Sequence, residues 1–121
     1  MAGASTRVRT NGWIGVDLDG TLSLHEENLV IGKEIGGPVP VMVDRVRSWL
    51  RQGWEVRIVT ARVSSNLPQG FRDIQKELIK TWTRLYVGTE LEAVSEKDFN
   101  MLELWDDRAR RVEANTGRII G

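Results

Sequence analysis

The sequence predicts an α/β fold in which strands alternate with helices and form a mostly parallel sheet. Apolar runs such as "WIGVD" (residues 13–17) and "MLELW" (residues 101–105) stop abruptly at aspartate, as buried strands do. Segments with apolar residues at helical spacing lie between the candidate strands. The resulting order of strand, loop, helix, strand, helix and strand is typical of alternating α/β proteins.

The N-terminal half is predicted to hold two strands and a helix. After "WIGVD", residues 20–40 are rich in glycine, end in "GGPVP" and are expected to be mostly loop, with "NLVIG" as a short strand or hairpin arm. "WEVRIVTA" then alternates as a strand does, and Gly53 before it suits the C-terminal end of a helix. The apolar face of that helix consists of Met42, Val46, Trp49 and Leu50.

The C-terminal half is predicted to hold a second helix and further strands. In "SSNLP", Asn66 is a candidate helix cap and Pro68 suits a first helical turn. A weak strand is expected at residues 93–95, and the tail "RRVEANTGRIIG" suggests a small edge strand with a turn at residues 115–117. The apolar stripe of the second helix consists of Phe71, Ile74, Leu78, Trp82 and Leu85.

Composition narrows the class of protein. A chain of 121 residues is expected to form a single domain, here residues 13–121, preceded by a flexible lead-in at residues 1–12. Seventeen basic and seventeen acidic residues cancel, so no overall charge indicates a nucleic acid or membrane partner. The absence of cysteine excludes disulfides and thiolate zinc sites. With neither a signal peptide nor a long apolar run, a cytoplasmic location is expected.

Polar residues follow the predicted strands. Asp17 and Asp19 end the first strand, Thr60 ends the second, and Asp106 and Asp107 follow "MLELW". Because the carboxyl ends of parallel strands meet at one edge of a sheet, where ligands bind, we expect these side chains to converge. Several carboxylates at one edge repel unless a divalent cation joins them. Oxygen ligands without cysteine or a suitably placed histidine favour Mg²⁺ over zinc.

This set of residues suits phosphoryl transfer better than other reactions. A carboxylate can act as a nucleophile and form an aspartyl-phosphate that water hydrolyses. The reaction also needs donors and positive charge around the phosphoryl oxygens. Thr60 supplies a hydroxyl, Lys97 a point charge, and the turn "DGT" backbone N–H groups that Gly20 allows to approach closely.

The same segments resemble the motifs of the haloacid-dehalogenase (HAD) superfamily of phosphohydrolases. "DLDGT" is similar to the first motif of that family, "VTAR" to the second and "LWDD" to the acidic fourth. The third motif is a single lysine, best matched by Lys97 in "SEKDF", whereas Lys76 and Lys80 lie on the predicted helix. The resemblance spans residues 13–107.

The resemblance implies a Rossmann-like three-layer sandwich and a role for each residue. Asp17 would be the nucleophile and a ligand of Mg²⁺, and Asp19 would be the general acid and base and give its main-chain carbonyl to the metal. Thr60 and Lys97 would hold the phosphoryl group. Asp106 would complete the metal site, and Asp107 would either be a further ligand or act through water. The expected phosphate-binding set is therefore Gly20, Thr60, Ala61 and Lys97, and the expected metal set is Asp17, Asp19, Asp106 and Asp107.

The spacing of the motifs leaves no room for the cap domain that many members of the family carry. Neither the stretch from Asp17 to Thr60 nor the one from Thr60 to Lys97 is long enough once its helix and strand are subtracted. A capless, open site is therefore expected. Its phosphorylated substrate would be bulky, or a second copy of the chain would cover the site.

Three functions remain open. The first is a phosphatase that acts on an unidentified phosphomonoester, and the second is a polynucleotide end-phosphatase, suggested by "DDR" and an earlier "AR" and disfavoured by the zero net charge. The third is a regulatory domain that binds metal or phosphate without turnover. Arg62 and Arg108 face a phosphate or form surface ion pairs, and His25 contacts substrate or lies in a solvated loop.

Overall fold

A computed structural model describes residues 12–30 and 32–121, so the predicted lead-in lies, apart from Gly12, outside the described residues. The described strands and helices follow the predicted order. The helices are α1 (Pro40–Arg51), a short 3-10 helix (Ala61–Val63) and α2 (Gln69–Tyr86). The strands are β1 (Trp13–Asp17), β2 (Glu55–Val59), β3 (Ala93–Val94), β4 (Met101–Trp105), β5 (Arg111–Val112) and β6 (Ile119–Ile120).

The main sheet has four parallel strands in the order β3-β2-β1-β4. β1 is central, and its Val16 lies opposite Ile58 of β2 and Trp105 of β4. The prediction of an α/β fold with a parallel sheet is therefore confirmed. Because all four strands run the same way, their carboxyl ends lie at one edge, and the polar residues that follow β1, β2 and β4 start there.

Both α-helices contribute to one apolar core on one face of the sheet. Ile14 and Val16 belong to the same buried cluster as the inward-facing residues of the helices. Successive strand residues point to opposite faces, so Trp13 lies on the other side. There the Arg57 guanidinium lies 4.5 Å from the Trp13 ring centroid, and the indole N–H donates to Asp98. The helix residues in the buried cluster are Met42, Val43 and Val46 of α1 and Ile79 and Trp82 of α2.

The predicted details of α2 are wrong in two respects. The helix begins at Gln69, after Pro68, so Asn66 is not its cap. The predicted apolar stripe is also only partly confirmed, because Trp82 is buried whereas Ile74 is 58% exposed and Leu85 is 70% exposed. The buried face instead includes the polar Gln75, whose hydrogen bonds to other segments compensate for its burial.

Several turns agree with the sequence. Gly53 follows α1 with a φ of 90°, a conformation that favours glycine, as predicted for the end of that helix. In the tail, Asn115 has a φ of 68° and lies in the turn between β5 and β6. These strands pair with each other as a separate antiparallel sheet and do not form an edge of the main sheet.

"NLVIG" forms no strand in its described residues, and Ile31 lies outside them. No described helix combines the length and the apolar character needed to cross a bilayer.

Candidate functional site

A cluster of three carboxylates lies at the carboxyl edge of the sheet. Asp17 ends β1, and Asp106 and Asp107 follow the neighbouring strand β4. One oxygen from each carboxylate lies within 4.8 Å of the others. The Thr21 Oγ1 atom lies 3.1 Å from Asp17 Oδ2 and 3.1 Å from Asp107 Oδ1, and it accepts the Asp107 N–H. The convergence that the sequence predicted for these three aspartates is therefore present.

Burial and the neighbouring acids change the protonation of the nucleophile candidate. Burial, a hydrogen bond with Asp107 and the charge of Asp106 raise the pKa of Asp17 to about 7. Burial also opposes ionisation of Asp107, yet hydrogen bonds with Asp17 and Thr21, its own backbone N–H and the charge of Arg108 hold the pKa of Asp107 below its usual range. Near neutral pH the two carboxyl groups therefore tend to share one proton, with Asp107 as the ionised partner.

Gly20 allows the turn after β1 to lie close to the Asp107 carboxylate. It adopts a φ of +92°, and a Cβ atom there would lie 2.8 Å from Asp107 Oδ2. The Gly20 N–H donates to the Ser23 carbonyl at 2.8 Å and so closes the turn after β1. Glycine is therefore required for two reasons: the positive φ, and the lack of space for a Cβ atom beside the Asp107 carboxylate. The predicted contact of Gly20 with a phosphate stays a prediction.

Asp19 lies apart from the acidic cluster because its carboxylate is paired with Arg62. Arg62 Nε donates to Asp19 Oδ2, and Arg62 Nη2 donates to Asp19 Oδ1, both at 2.8 Å. The Arg62 side chain is only 6% exposed, against 25% for that of Asp19. The surface ion pair that the sequence suggested for Arg62 is therefore a buried, bidentate one, and its partner is a predicted site residue. A metal contact through the main-chain carbonyl of Asp19 stays a prediction.

Thr60 and Ala61 lie where β2 ends. Thr60 is buried, its N–H donates to the Val94 carbonyl at 2.9 Å, and its Oγ1 accepts the Arg62 N–H at 3.2 Å. Ala61 begins the 3-10 helix and is exposed.

A cleft of about 570 Å³ joins these segments. Its lining includes the predicted site residues Asp17, Asp19, Thr60, Ala61 and Asp106 together with His25, Leu67, Phe71, Ser95 and Arg108.

Lys97 is not among the described residues that line this cleft; it is exposed in the loop between β3 and β4. Its role as the phosphate-binding cation stays a prediction. Arg108 does line the cleft, and its N–H donates to Asp106 Oδ1 at 2.8 Å.

Sequence reasoning missed the bridging role of Thr21 and the contribution of Ser95. The available signals were the threonine within "DGT" and the position of Ser95 at the end of a predicted strand. Neither position distinguishes a site residue from an ordinary turn residue.

The acidic cluster can hold a metal ion. Its three side chains offer only carboxylate oxygens, which are the ligands that hard divalent cations prefer. A cation would also lower the pKa of Asp17, which burial, the hydrogen bond with Asp107 and the charge of Asp106 raise. The choice of Mg²⁺ among such cations stays a prediction.

Comparison with protein-family models, curated proteins and solved structures yields no match to this chain. The resemblance to the HAD superfamily therefore stays a prediction carried by the motifs.

Proposed function

We propose that this protein is a Mg²⁺-dependent phosphohydrolase of the HAD type, with a Rossmann-like fold, no cap domain and an open site. The observation that carries the proposal is the cluster of Asp17, Asp106 and Asp107 at the sheet edge, with Thr60 and Asp19 in the same cleft. A nucleophilic carboxylate, cation ligands, a hydroxyl donor and a separate proton carrier are the groups that hydrolysis of a phosphomonoester requires.

The residues that would hold the cation are Asp17, Asp106 and Asp107, with the main-chain carbonyl of Asp19 as the resemblance implies. When bound, Mg²⁺ would neutralise part of the charge of the carboxylates and of the phosphate. A nucleophilic carboxylate must be ionised, and the pKa of about 7 leaves Asp17 only partly ionised near neutral pH in the metal-free site. The acidic cluster is thus suited to work with a cation.

The reaction has two steps. One oxygen of Asp17 bonds to phosphorus while the bond from phosphorus to the ester oxygen breaks. Asp19 enters this step carrying a proton and gives it to that leaving oxygen. A water oxygen then bonds to phosphorus, the bond to Asp17 breaks, and the proton of the water passes to Asp19. Both carboxyl groups return to their starting state, and inorganic phosphate leaves. Thr60 would donate its hydroxyl hydrogen to the phosphoryl oxygens, with Lys97 as a further expected cation.

A panel of aryl and alkyl phosphate esters tests the proposal. We expect turnover that requires Mg²⁺, and we expect Asp17→Asn to abolish it because no nucleophile remains. Asp44→Asn is the matched control, because this substitution removes the same charge from an exposed position on α1, away from the site. Turnover retained by Asp17→Asn, or full activity in the presence of a chelator, would contradict the proposal.

One observation favours the narrower function of a polynucleotide end-phosphatase. Arg108 lines the cleft, and Arg110 and Arg111 follow it as exposed residues, so a local basic segment adjoins the site despite the zero net charge. Faster turnover of a 3′-phosphorylated oligonucleotide than of small esters, falling steeply with salt, would support this function. Tight binding of Mg²⁺ with a phosphate mimic but no turnover of any ester would instead indicate a regulatory domain.

A further inference from the structure

The ion pair between Asp19 and Arg62 is more extensively hydrogen-bonded than an ordinary surface ion pair. Both oxygens of the Asp19 carboxylate accept a hydrogen bond from the same guanidinium, in the bidentate geometry that fixes the plane of a carboxylate. The guanidinium is almost fully buried, whereas the carboxylate is partly exposed and lines the cleft. Both residues line the cleft, and Arg62 leaves part of the Asp19 carboxylate exposed there.

Arg62 is itself held by three other segments. Its Nη1 donates to Gln75 Oε1 of α2 at 3.0 Å, and its Nη2 donates to the Glu34 carbonyl at 2.7 Å. Gln75 is fully buried and donates in turn to the Gly32 carbonyl. The backbone N–H of Arg62 is bonded to Thr60 Oγ1, at the end of β2. The guanidinium thus has one position, set by the packing of α2 against the loop after β1.

The consequence for Asp19 is a fixed carboxylate. The two oxygens of a carboxyl group have about four lone-pair positions between them, and Arg62 occupies two, so two remain for a proton or for a group in the cleft. Without Arg62 the side chain of Asp19 could rotate freely. Side chains that carry protons in catalysis need their geometry set to within a fraction of an ångström.

We propose that Arg62 is a positioning residue that holds the Asp19 carboxylate in the orientation in which it exchanges a proton with the leaving oxygen and then with water. This inference rests on the proposed phosphohydrolase function. Arg62 takes no part in bond making; the proton moves between Asp19, the ester oxygen and water as described above.

The proposal is tested by the dependence of the rate on the leaving group. A proton donor matters most when the leaving oxygen is strongly basic, as in an alkyl ester, and least for a 4-nitrophenyl ester. We expect Arg62→Lys, which keeps the charge but not the bidentate pairing, to lower the rate on an alkyl phosphate by about 10²-fold and on 4-nitrophenyl phosphate by less than about tenfold. The matched control is Arg72→Lys, because Arg72 bonds to the Leu67 carbonyl and to Gln69 and not to Asp19. The control should affect both esters equally.

Gln75→Asn keeps the proposal testable if Arg62→Lys does not fold, and a double variant tests it further if Arg62→Lys does fold. Gln75→Asn keeps Arg62 but releases its Nη1, and it should give the same selective loss at a smaller size. In the background of Asp19→Asn, Arg62→Lys should add no further selectivity, because Arg62 acts only through Asp19.

The outcomes distinguish failure of the positioning role of Arg62 from failure of the proposed phosphohydrolase function. Equal losses on both esters in the Arg62 and Gln75 variants, with an active wild type, would show that Arg62 is only structural and would overturn the positioning role. No turnover of either ester by the wild type would refute the phosphohydrolase function, and the positioning role with it.

Discussion

Asp17 and Asp19 are separated by one residue but lie in opposite electrostatic surroundings. Asp17 is surrounded by acids, with Asp106 and Asp107 across the sheet edge, and its pKa rises to about 7. Asp19 meets the guanidinium of Arg62, with both of its oxygens bonded. The turn after β1 sends the first carboxylate towards β4 and the second towards the end of β2.

The difference shows how one short motif can supply two chemically distinct groups. The three carboxylates of the acidic cluster are suited to a cation, whereas the carboxylate of Asp19 is already paired with the guanidinium of Arg62. Pairs of titratable groups in contrasting surroundings are typical of sites that divide a nucleophile from a proton carrier. Removal of the Asp19 charge should therefore destabilise the protein, whereas removal of the Asp17 charge should stabilise it.

Removal of the Asp19 carboxylate should have the largest effect on stability. Asp19→Ala leaves the buried Arg62 without its charged partner, and we expect it to lower the free energy of unfolding by about 2 to 3 kcal/mol. Urea unfolding measures this. Asp44→Ala, on the exposed side of α1, should change the same quantity by less than about 0.5 kcal/mol. Equal effects of the two variants would mean that the pair with Arg62 contributes nothing to stability.

The next largest effect concerns metal binding by the acidic region. Asp106→Asn removes one charged oxygen ligand, and we expect Mg²⁺ to bind about 10- to 100-fold more weakly, which corresponds to about 1.4 to 2.7 kcal/mol. Calorimetric titration with Mg²⁺ alone tests this, with Asp44→Asn as the control for charge. Unchanged affinity in Asp106→Asn would place any cation elsewhere.

Gly20 lies between Asp19 and the acidic cluster, and its substitution should have an intermediate effect on the free energy of unfolding. Gly20→Ala forces a Cβ into a left-handed turn and against the Asp107 carboxylate, so we expect a loss of about 1 to 2 kcal/mol in the free energy of unfolding. Gly70→Ala is the matched control, because Gly70 lies in α2 with open space around it and should become slightly more stable. A neutral Gly20→Ala would contradict the tight turn described here.

The smallest expected effect is a pH dependence. The pKa of Asp17 is about 7 in the folded protein and near its ordinary value of 3.8 in the unfolded chain. Between these values the folded state keeps a proton that the unfolded state releases, so the stability of the metal-free protein falls as pH rises from about 4 to about 7. Asp17→Asn removes this loss, and we expect it to be more stable than the wild type at pH 8 by about 1 kcal/mol, a value reduced for solvent screening.

Thermal unfolding in the presence of a chelator, at pH 4 and at pH 8, measures this difference. The two proteins should be similar at pH 4 and should diverge at pH 8. A gain of the same size at both values would mean that the pKa of Asp17 is not raised, and that the contrast with Asp19 is weaker than the geometry indicates.

Much of the site could be predicted because it depends on local patterns. An apolar run that stops at aspartate indicates a buried strand and its carboxyl end, and parallel strands bring those ends together. Asp17, Asp106 and Asp107 were found in this way. The buried face of α2 was not fully predicted. Ile74 and Gln75 are adjacent in the helix, and apolar spacing favours burial of Ile74, whereas Gln75 is the buried residue.

The sequence by itself therefore determined the strands, the sheet edge and the acids that meet there, since these follow from periodicity and from strand direction. Only the tertiary structure decided that Gln75 is buried and that Arg62 is paired with Asp19. The physical reason is that these properties depend on hydrogen bonds between segments far apart in the chain. A buried polar group needs partners, and packing alone decides which segments supply them.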